Sequence, residues 1–193
     1  VSTEEYELIG TRFLEEEIDY DGRQLRSHFV RESAGLKSDA VVAFIGRCDV
    51  RGDSLVDLED SERGETIVAS RMLHFIGEHF SISLREGNVR LRLLVSTALE
   101  LLAESLGKVR VRRDGDDLFA DDRKLSVAIC TKSAVSVIFH LGIDIDPAGA
   151  PVPAIGLEEL GIEPSRFART LMDRYQKECS SIELALRKVR GVD

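Results

Sequence analysis

The stretch Val109-Arg-Val-Arg-Arg-Asp-Gly-Asp-Asp-Leu-Phe-Ala-Asp-Asp-Arg-Lys-Leu-Ser126, continued to Asp144, predicts three short strands joined by two tight turns. Val109 and Val111 alternate with Arg110 and Arg112, a period of two. Asp121-Asp122 supplies the first turn, after which Leu125, Val127 and Ile129 alternate with Lys124, Ser126, Ala128 and Cys130. Thr131-Lys132-Ser133 supplies the second, leading into Val135, Val137, Phe139 and Leu141. In this phase Leu125, Val127 and Ile129 face the core, and Lys124 leaves it on the opposite face together with Cys130. An ammonium there meets whatever lies over the sheet. Cys130 lies six residues along the strand from Lys124, about 20 Å at ~3.3 Å per residue, too far to act with it.

Immediately upstream, Asn88 to Leu106 reads as a helix. Asn88 serves as N-cap, Leu91, Leu94, Val95, Ala98 and Leu102 form the apolar stripe, and Gly107 is the stop. Lys108, Arg110 and Arg112 then alternate on one strand face. Such a row fits a charge-defended edge strand or an anion-receiving surface equally well. Asp39 to Gly46 predicts a buried strand ending in a glycine turn, and Cys48 an ordinary thiol in an arginine-flanked loop. Leu55 to Glu65 is acidic and reads as a solvated loop or short helix. Met72 to Ser83 reads as one long strand or a strand pair. His74 and His79 fall on opposite faces of it, which argues against a shared metal.

Nearer the N-terminus, Phe13 to Tyr20 predicts a strand, Asp21-Gly22 a turn, and Leu25 to Glu32 a short helix closed by Gly35. Beyond Asp146-Pro147 lies a loop with Pro151 and Pro153, then a helical piece ending at Gly161. A helical segment over 164–190 follows, with Pro164 in its first turn. Its stripe of Phe167, Leu171, Tyr175, Cys179, Ile182, Leu186 and Val189 packs on the sheet or on a second copy of the chain, and Ser180 with Glu183 offers a cap that would divide it.

Over 193 residues the net charge is −9, which argues against general nucleic-acid or anionic-membrane binding. No apolar run approaches the ~20 residues of a membrane span, and the N-terminus lacks a basic-then-apolar leader pattern. The three cysteines (Cys48, Cys130, Cys179) are widely spaced, giving neither a metal knuckle nor a disulfide framework. The expectation is one domain over 1–193 in a reducing cytoplasm, with no metal site and no cofactor that the sequence names.

Three elements of the organising stretch resemble the biotin and lipoate protein ligases. Asp116-Asp117-Leu118 is similar to their Asn-Asp-Leu, Arg123-Lys124-Leu125-Ser126 to their Arg-Lys followed by small residues, and His140-Leu141-Gly142-Ile143-Asp144 to their Gly-x-Gly-Ile-Asn. Val41 to Arg47 resembles the lipoate ligases' Val-Val-x-Ile-Gly-Arg strand, and His74 with Gly77 matches their Val-Phe-His-Asp-x-Gly-Asn. On this basis the chain is identified as a member of the DUF 366 family, an offshoot of the ligase catalytic domain, with a motif core of about 40–147. The resemblance implies an α+β fold, a mainly antiparallel central sheet with helices chiefly on one face. It implies Lys124 as the group that meets a substrate carboxyl and stabilises charge during acyl transfer, with Asp116 and Asp144 as its catalytic companions. His74, Gly77, Asp117, Arg123, Ser126, Gly142 and Arg112 are the implied substrate-binding residues.

The departures are specific. Both ligase asparagines are aspartates here (Asp116, Asp144), Val127 replaces a glycine, and Glu65-Thr-Ile-Val-Ala-Ser70 replaces the paired arginines and glycine triplet that approach phosphate. Two classes of function follow: a ligase-like or acyltransferase-like protein on a small carboxylic acid or acyl cofactor, without standard biotin or lipoate adenylation, or a non-catalytic binding or assembly protein, possible as a homodimer, on the same fold.

Overall fold

The computed structural model describes residues 9–192. Five strands make the central sheet in the order β1-β2-β3-β8-β7, all antiparallel except the parallel β1–β2 pair. These are β1 (Gly10–Phe13), β2 (Ala40–Arg51), β3 (Thr66–Phe80), β7 (Ser126–Lys132) and β8 (Ser136–Asp146). Between β3 and β7 come the helix α3 (Leu84–Leu106) and a small antiparallel sheet of β4 (Val111–Asp114), β5 (Asp117–Ala120) and β6 (Arg123–Lys124).

β2, β3 and β8 carry long apolar runs because they are covered on both faces. One face packs under α3 and α4 (Pro164–Arg187), with Leu91, Leu94, Ala98, Phe167, Leu171 and Tyr175 among the buried helix residues. The other face is covered by α1 (Phe29–Ala34) and its flanking chain, and its core includes Tyr20, Phe29, Phe44, Met72 and Ile76. Both long helices thus lie on one face of a mainly antiparallel α+β sheet, as expected.

Several boundaries differ from the sequence reading, each for a physical reason. The strand expected over Phe13 to Tyr20 ends at Phe13; beyond it Leu14, Ile18 and Tyr20 each donate single backbone bonds to β2. The short helix starts at Phe29, after His28 in the left-handed conformation, and closes at Gly35. β2 does not turn at Gly46. It continues to Arg51 through a bulge between Gly46 and Cys48, which places Cys48 in the core rather than in a loop. Met72 to Phe80 belongs to one strand that begins at Thr66. α3 starts a turn before Asn88, capped by the Ser83 hydroxyl on the Glu86 N–H. α4 is undivided, and its stripe is buried only as far as Cys179; Ile182, Leu186 and Val189 are exposed.

The organising stretch holds five strands, not three. Gly115-Asp116 is a hairpin turn that the reading missed, so Asp117 to Ala120 forms β5. Asp121 and Asp122 both take positive φ (46° and 61°), forming the two-residue turn between β5 and β6. The chain then breaks at Leu125 before β7 begins. This break reverses the expected phase. Leu125 is in the helix-side core, but Val127 packs on the other face, while Ala128 and Cys130 lie against the helix-side core. Cys130 and Lys124 therefore do not share a face.

Candidate functional site

Lys124 is held by its backbone at a junction. Its N–H donates to Pro153 O (3.0 Å), and its carbonyl accepts from Ile155 N–H (2.9 Å). The next residue ties two more elements in: Leu125 N–H donates to Leu118 O (2.8 Å), and Asp144 N–H donates to Leu125 O (2.9 Å). The small sheet, the 151–155 loop and the end of β8 are stitched together around two residues. The break at Leu125 is what makes this possible, since a continuous strand would spend these groups on one neighbour.

Over this junction lies a cavity of about 450 Å³. Asp116, Asp117, Lys124 and Asp144 line it, with Met72, Val127 and Ile129 as an apolar wall. Its far rim comes from Asp57, Asp60, Arg63 and Glu65, in and around α2 (Leu58–Glu62). Lys124 Nζ pairs with Asp117 at 2.9 Å, each side chain about a third exposed (31% and 32%). Burial pushes the Asp117 carboxyl up, and Lys124 opposes that shift. Asp144 is only 7% exposed. Burial pushes its carboxyl up to about 7 against the pull of Lys124, and Asp146 adds to the rise.

The cavity brings together Lys124, Asp116, Asp117 and Asp144 of the residues singled out in the sequence. The other six sit outside its lining. Arg112 lies over the Phe119 ring (4.0 Å) and reaches Asp122 (3.3 Å). Arg123 forms a two-pronged pair with Glu159 (2.7 and 3.0 Å). Ser126 is buried and accepts the Leu118 N–H through its hydroxyl (2.8 Å), which holds β5 against β7. Gly77 faces the Phe139 ring, where a Cβ would come within 2.1 Å. A Cβ on Gly142 would meet Met72 Sδ at 2.3 Å and His140 Cε1 at 3.1 Å. His74 is fully buried in an aromatic stack with Tyr20, Phe44 and His140. In the matching hydrogen-bond assignment, His74 Nε2–H donates to Gly46 O (3.4 Å) and His140 Nε2–H donates to His74 Nδ1 (3.0 Å). Burial brings His74 down to about 3, so both rings are neutral.

His79 faces the opposite side of the sheet, against Tyr175 and Phe139, as its alternation with His74 requires. Among the described residues no group of three or more His, Cys, Asp or Glu side chains is arranged to hold a metal ion. All three thiols are free and suppressed by burial, Cys48 up to about 12 and Cys130 up to about 11. The acidic rim from α2 and the covering loop at 151–154 were missed. The acidic run reads locally as solvated surface, and no pattern in it says that the loop folds back toward it.

The family described as Domain of unknown function (DUF366) matches residues 9–190. The chain belongs to the DUF366 family. It is 36% identical over 189 residues to the uncharacterized protein MJ0805 of Methanocaldococcus jannaschii, covering 94% of this chain and 85% of that one. A protein of unknown function from Pyrococcus horikoshi superposes with a TM-score of 0.89 at 34% identity, over 96% of this chain and 100% of that chain. Biotin protein ligase from Leishmania major, solved with biotin, superposes with a TM-score of 0.52 at 15% identity, over 86% of this chain and 72% of that chain. The DUF366 fold is thus similar to that of the biotin and lipoate ligases. Among the described residues no helix is long and apolar enough to cross a membrane.

Proposed function

We propose that this DUF366 chain binds a small carboxylic acid or acyl group in the cavity over Lys124, as a ligase-like or acyltransferase-like protein that does not form biotinyl- or lipoyl-adenylate by the standard route. The observation that carries this is the placement of Lys124. Its ammonium stands at the rim of a mainly polar cavity with one apolar wall, on a backbone fixed from three sides. A lysine so held can receive a carboxylate and offset charge that develops on an acyl oxygen. The structural neighbour's biotin complex makes a small carboxylate a natural occupant for this fold.

Two features argue against a nucleotide there. Glu65 to Ser70, where the ligases carry a glycine loop, is mostly regular strand paired with the end of β2. Asp116 and Asp144 stand where asparagine would donate as well as accept; a carboxylate there, once ionised, can only accept, and its charge repels a phosphate. The net charge of −9 supports no role in nucleic-acid binding, and three free cysteines suit a reducing cytoplasm.

Pyrophosphate exchange with ATP, Mg²⁺ and a panel of carboxylic acids is the direct test. No exchange is expected with biotin, lipoate or octanoate, and vigorous exchange with any of them defeats the proposal. Exchange that appears only in an Asp116→Asn, Asp144→Asn double variant supports it. Mass spectrometry of small molecules carried by the purified protein reports the natural occupant.

A further inference from the structure

We infer that the acid taken by this cavity bears an ammonium group close to its carboxyl, as an α-amino acid does, with Lys124 Nζ meeting the carboxylate and the Asp144 carboxyl meeting the ammonium. The inference rests on the carboxylate reading above and narrows it.

The first observation is Asp144 itself. It is 93% buried, since 7% is exposed, and it lines the cavity. No described residue donates a hydrogen bond to its carboxyl or forms an ion pair with it. Yet among the described residues no fully enclosed side-chain nitrogen or oxygen lacks a partner. The Asp144 oxygens are therefore the ones left open to the cavity. A buried carboxylate without a donor is costly, and a cation or N–H donor from a ligand is what removes the cost.

The second observation is the charge balance of the walls. Asp57, Asp60, Glu65, Asp116, Asp117 and Asp144 face only Arg63 and Lys124. Arg63 is engaged by Asp60 and Glu65, both at 2.7 Å. Lys124 is engaged by Asp117, and the Asp57 carboxyl caps α2 through the N–H groups of Glu59 and Asp60. Asp116 and Asp144 form no ion pair with a described residue, although the charge of Lys124 reaches Asp144. A simple fatty acid drawn to Lys124 would bring one more negative charge beside Asp117 and Asp144. A zwitterion brings none in net, and its ammonium falls where charge is missing.

Geometry sets the spacing within the ligand. The Asp144 N–H to Leu125 O bond places residue 144 across from the residue next to Lys124. The cation and the anion of the ligand must therefore be near neighbours, and an ammonium at the far end of a chain would miss. An ammonium group of Lys124 has three N–H donors; Asp117 uses one, which leaves donors for the ligand. Met72, Val127 and Ile129 offer the wall for an apolar side chain. The charged and titratable groups acting on Asp144 are Lys124 from β6, Asp146 from its own strand and Cys48 from β2. Ammonium entry ionises Asp144, so binding near pH 6.5 releases a proton and tightens toward pH 8.

The experiment is calorimetric titration of the full chain at pH 8 with four probes: octanoate, 2-aminooctanoate, 8-aminooctanoate and octylamine. Lys124→Ala and Asp144→Asn are titrated alongside, with melting curves to confirm that both fold. We expect 2-aminooctanoate to bind at least tenfold more tightly than octanoate, and 8-aminooctanoate to show no such gain. Asp144→Asn should abolish the gain, so that 2-aminooctanoate binds that variant no more tightly than octanoate does. Equal affinity for 2-aminooctanoate and octanoate, with both lost in Lys124→Ala, overturns the inference and leaves the carboxylate reading standing. Equal affinity for 8-aminooctanoate and 2-aminooctanoate overturns the close spacing. Octylamine matching 2-aminooctanoate while Lys124→Ala changes nothing overturns the carboxylate reading beneath it.

Discussion

The histidine stack in the middle of the sheet and the carboxylate cavity at its end lie on one face and meet around Gly142, where a Cβ would run into both Met72 and His140. Both bury ionisable side chains, and in both burial favours the neutral form. They differ in what satisfies those side chains. In the stack His140 donates to His74, His74 donates to Gly46, and Tyr20 and Phe44 close the rings off from water. In the cavity Lys124 and Asp117 satisfy each other, but Asp144 has nothing. A closed polar network specifies the fold, whereas an open one beside a space for a ligand stores instability that a ligand relieves.

The largest expected effect breaks the stack. Phe44 is wholly buried against His74 and Phe29. Phe44→Ala should cost about 3–5 kcal/mol in chemical denaturation. Ile129→Ala, at the partly exposed cavity wall, should cost less than about 1.5 kcal/mol, because solvent can fill the space. Equal losses at the two positions would erase the distinction.

Next comes Asp144→Asn. The folded carboxyl titrates at about 7 and an ordinary one at 3.8, so between those pH values the folded chain holds a proton that the unfolded chain has lost. Stability therefore falls as pH rises from about 4 to about 7, by roughly 4 kcal/mol at most. Removing the charge should raise stability by on the order of 2 kcal/mol at pH 8 and by almost nothing at pH 4. Thermal melts at the two pH values check this; a destabilised variant at pH 8 would show that the carboxylate has a partner.

The same comparison sharpens with pH. His74 is held near 3 in the fold against an ordinary value of 6.5, and His140 is lowered too. Here the unfolded chain binds protons first, so stability falls as pH drops below about 6.5, with a limiting slope of about 1.4 kcal/mol per pH unit for each histidine. The two regions thus oppose each other between pH 4 and 6.5. Wild-type stability should be flatter in that window than that of Asp144→Asn, which exposes the histidine slope. Parallel profiles for the two proteins would rule this out.

How much of this was legible follows from what kind of signal each feature leaves. Lys124, Asp116, Asp117 and Asp144 were found because the Arg-Lys, Asp-Asp-Leu and Gly-Ile-Asp elements are local strings. α3 and the apolar runs of β2, β3 and β8 were found because burial imposes composition. The break at Leu125 was not found. Lys124 to Cys130 alternates without interruption, and only the hydrogen bonds to Pro153, Ile155 and Asp144 show that the chain changes partners there. His74, Gly77 and Gly142 matched motif positions, yet their surroundings are packing: a stack, a phenyl ring and a methionine sulfur. Motif strings cannot distinguish a glycine that admits a ligand from one that admits a neighbour.

The smallest expected effect on stability is at Lys124, and it decides most about function. Its ion pair with Asp117 joins two side chains that are each about a third exposed, where water screens the attraction and such a pair contributes ~1 kcal/mol or less. The structural work at this position is done by the main chain, through Pro153, Ile155 and, one residue on, Leu118 and Asp144, and alanine keeps all of those bonds. Lys124→Ala should therefore shift the stability by less than about 1 kcal/mol. Part of that is recovered because Asp117, already pushed up by burial, takes a proton more readily once the ammonium is gone. Ligand binding, by contrast, should be lost, since the one other cation lining the cavity among the described residues, Arg63, is committed to both Asp60 and Glu65. Melting curves and calorimetric titration on the same preparation separate the two effects. A loss of 3 kcal/mol or more would mean that the Lys124–Asp117 pair holds the hairpin in place, and the lysine would then belong with the histidine stack as part of what specifies the fold.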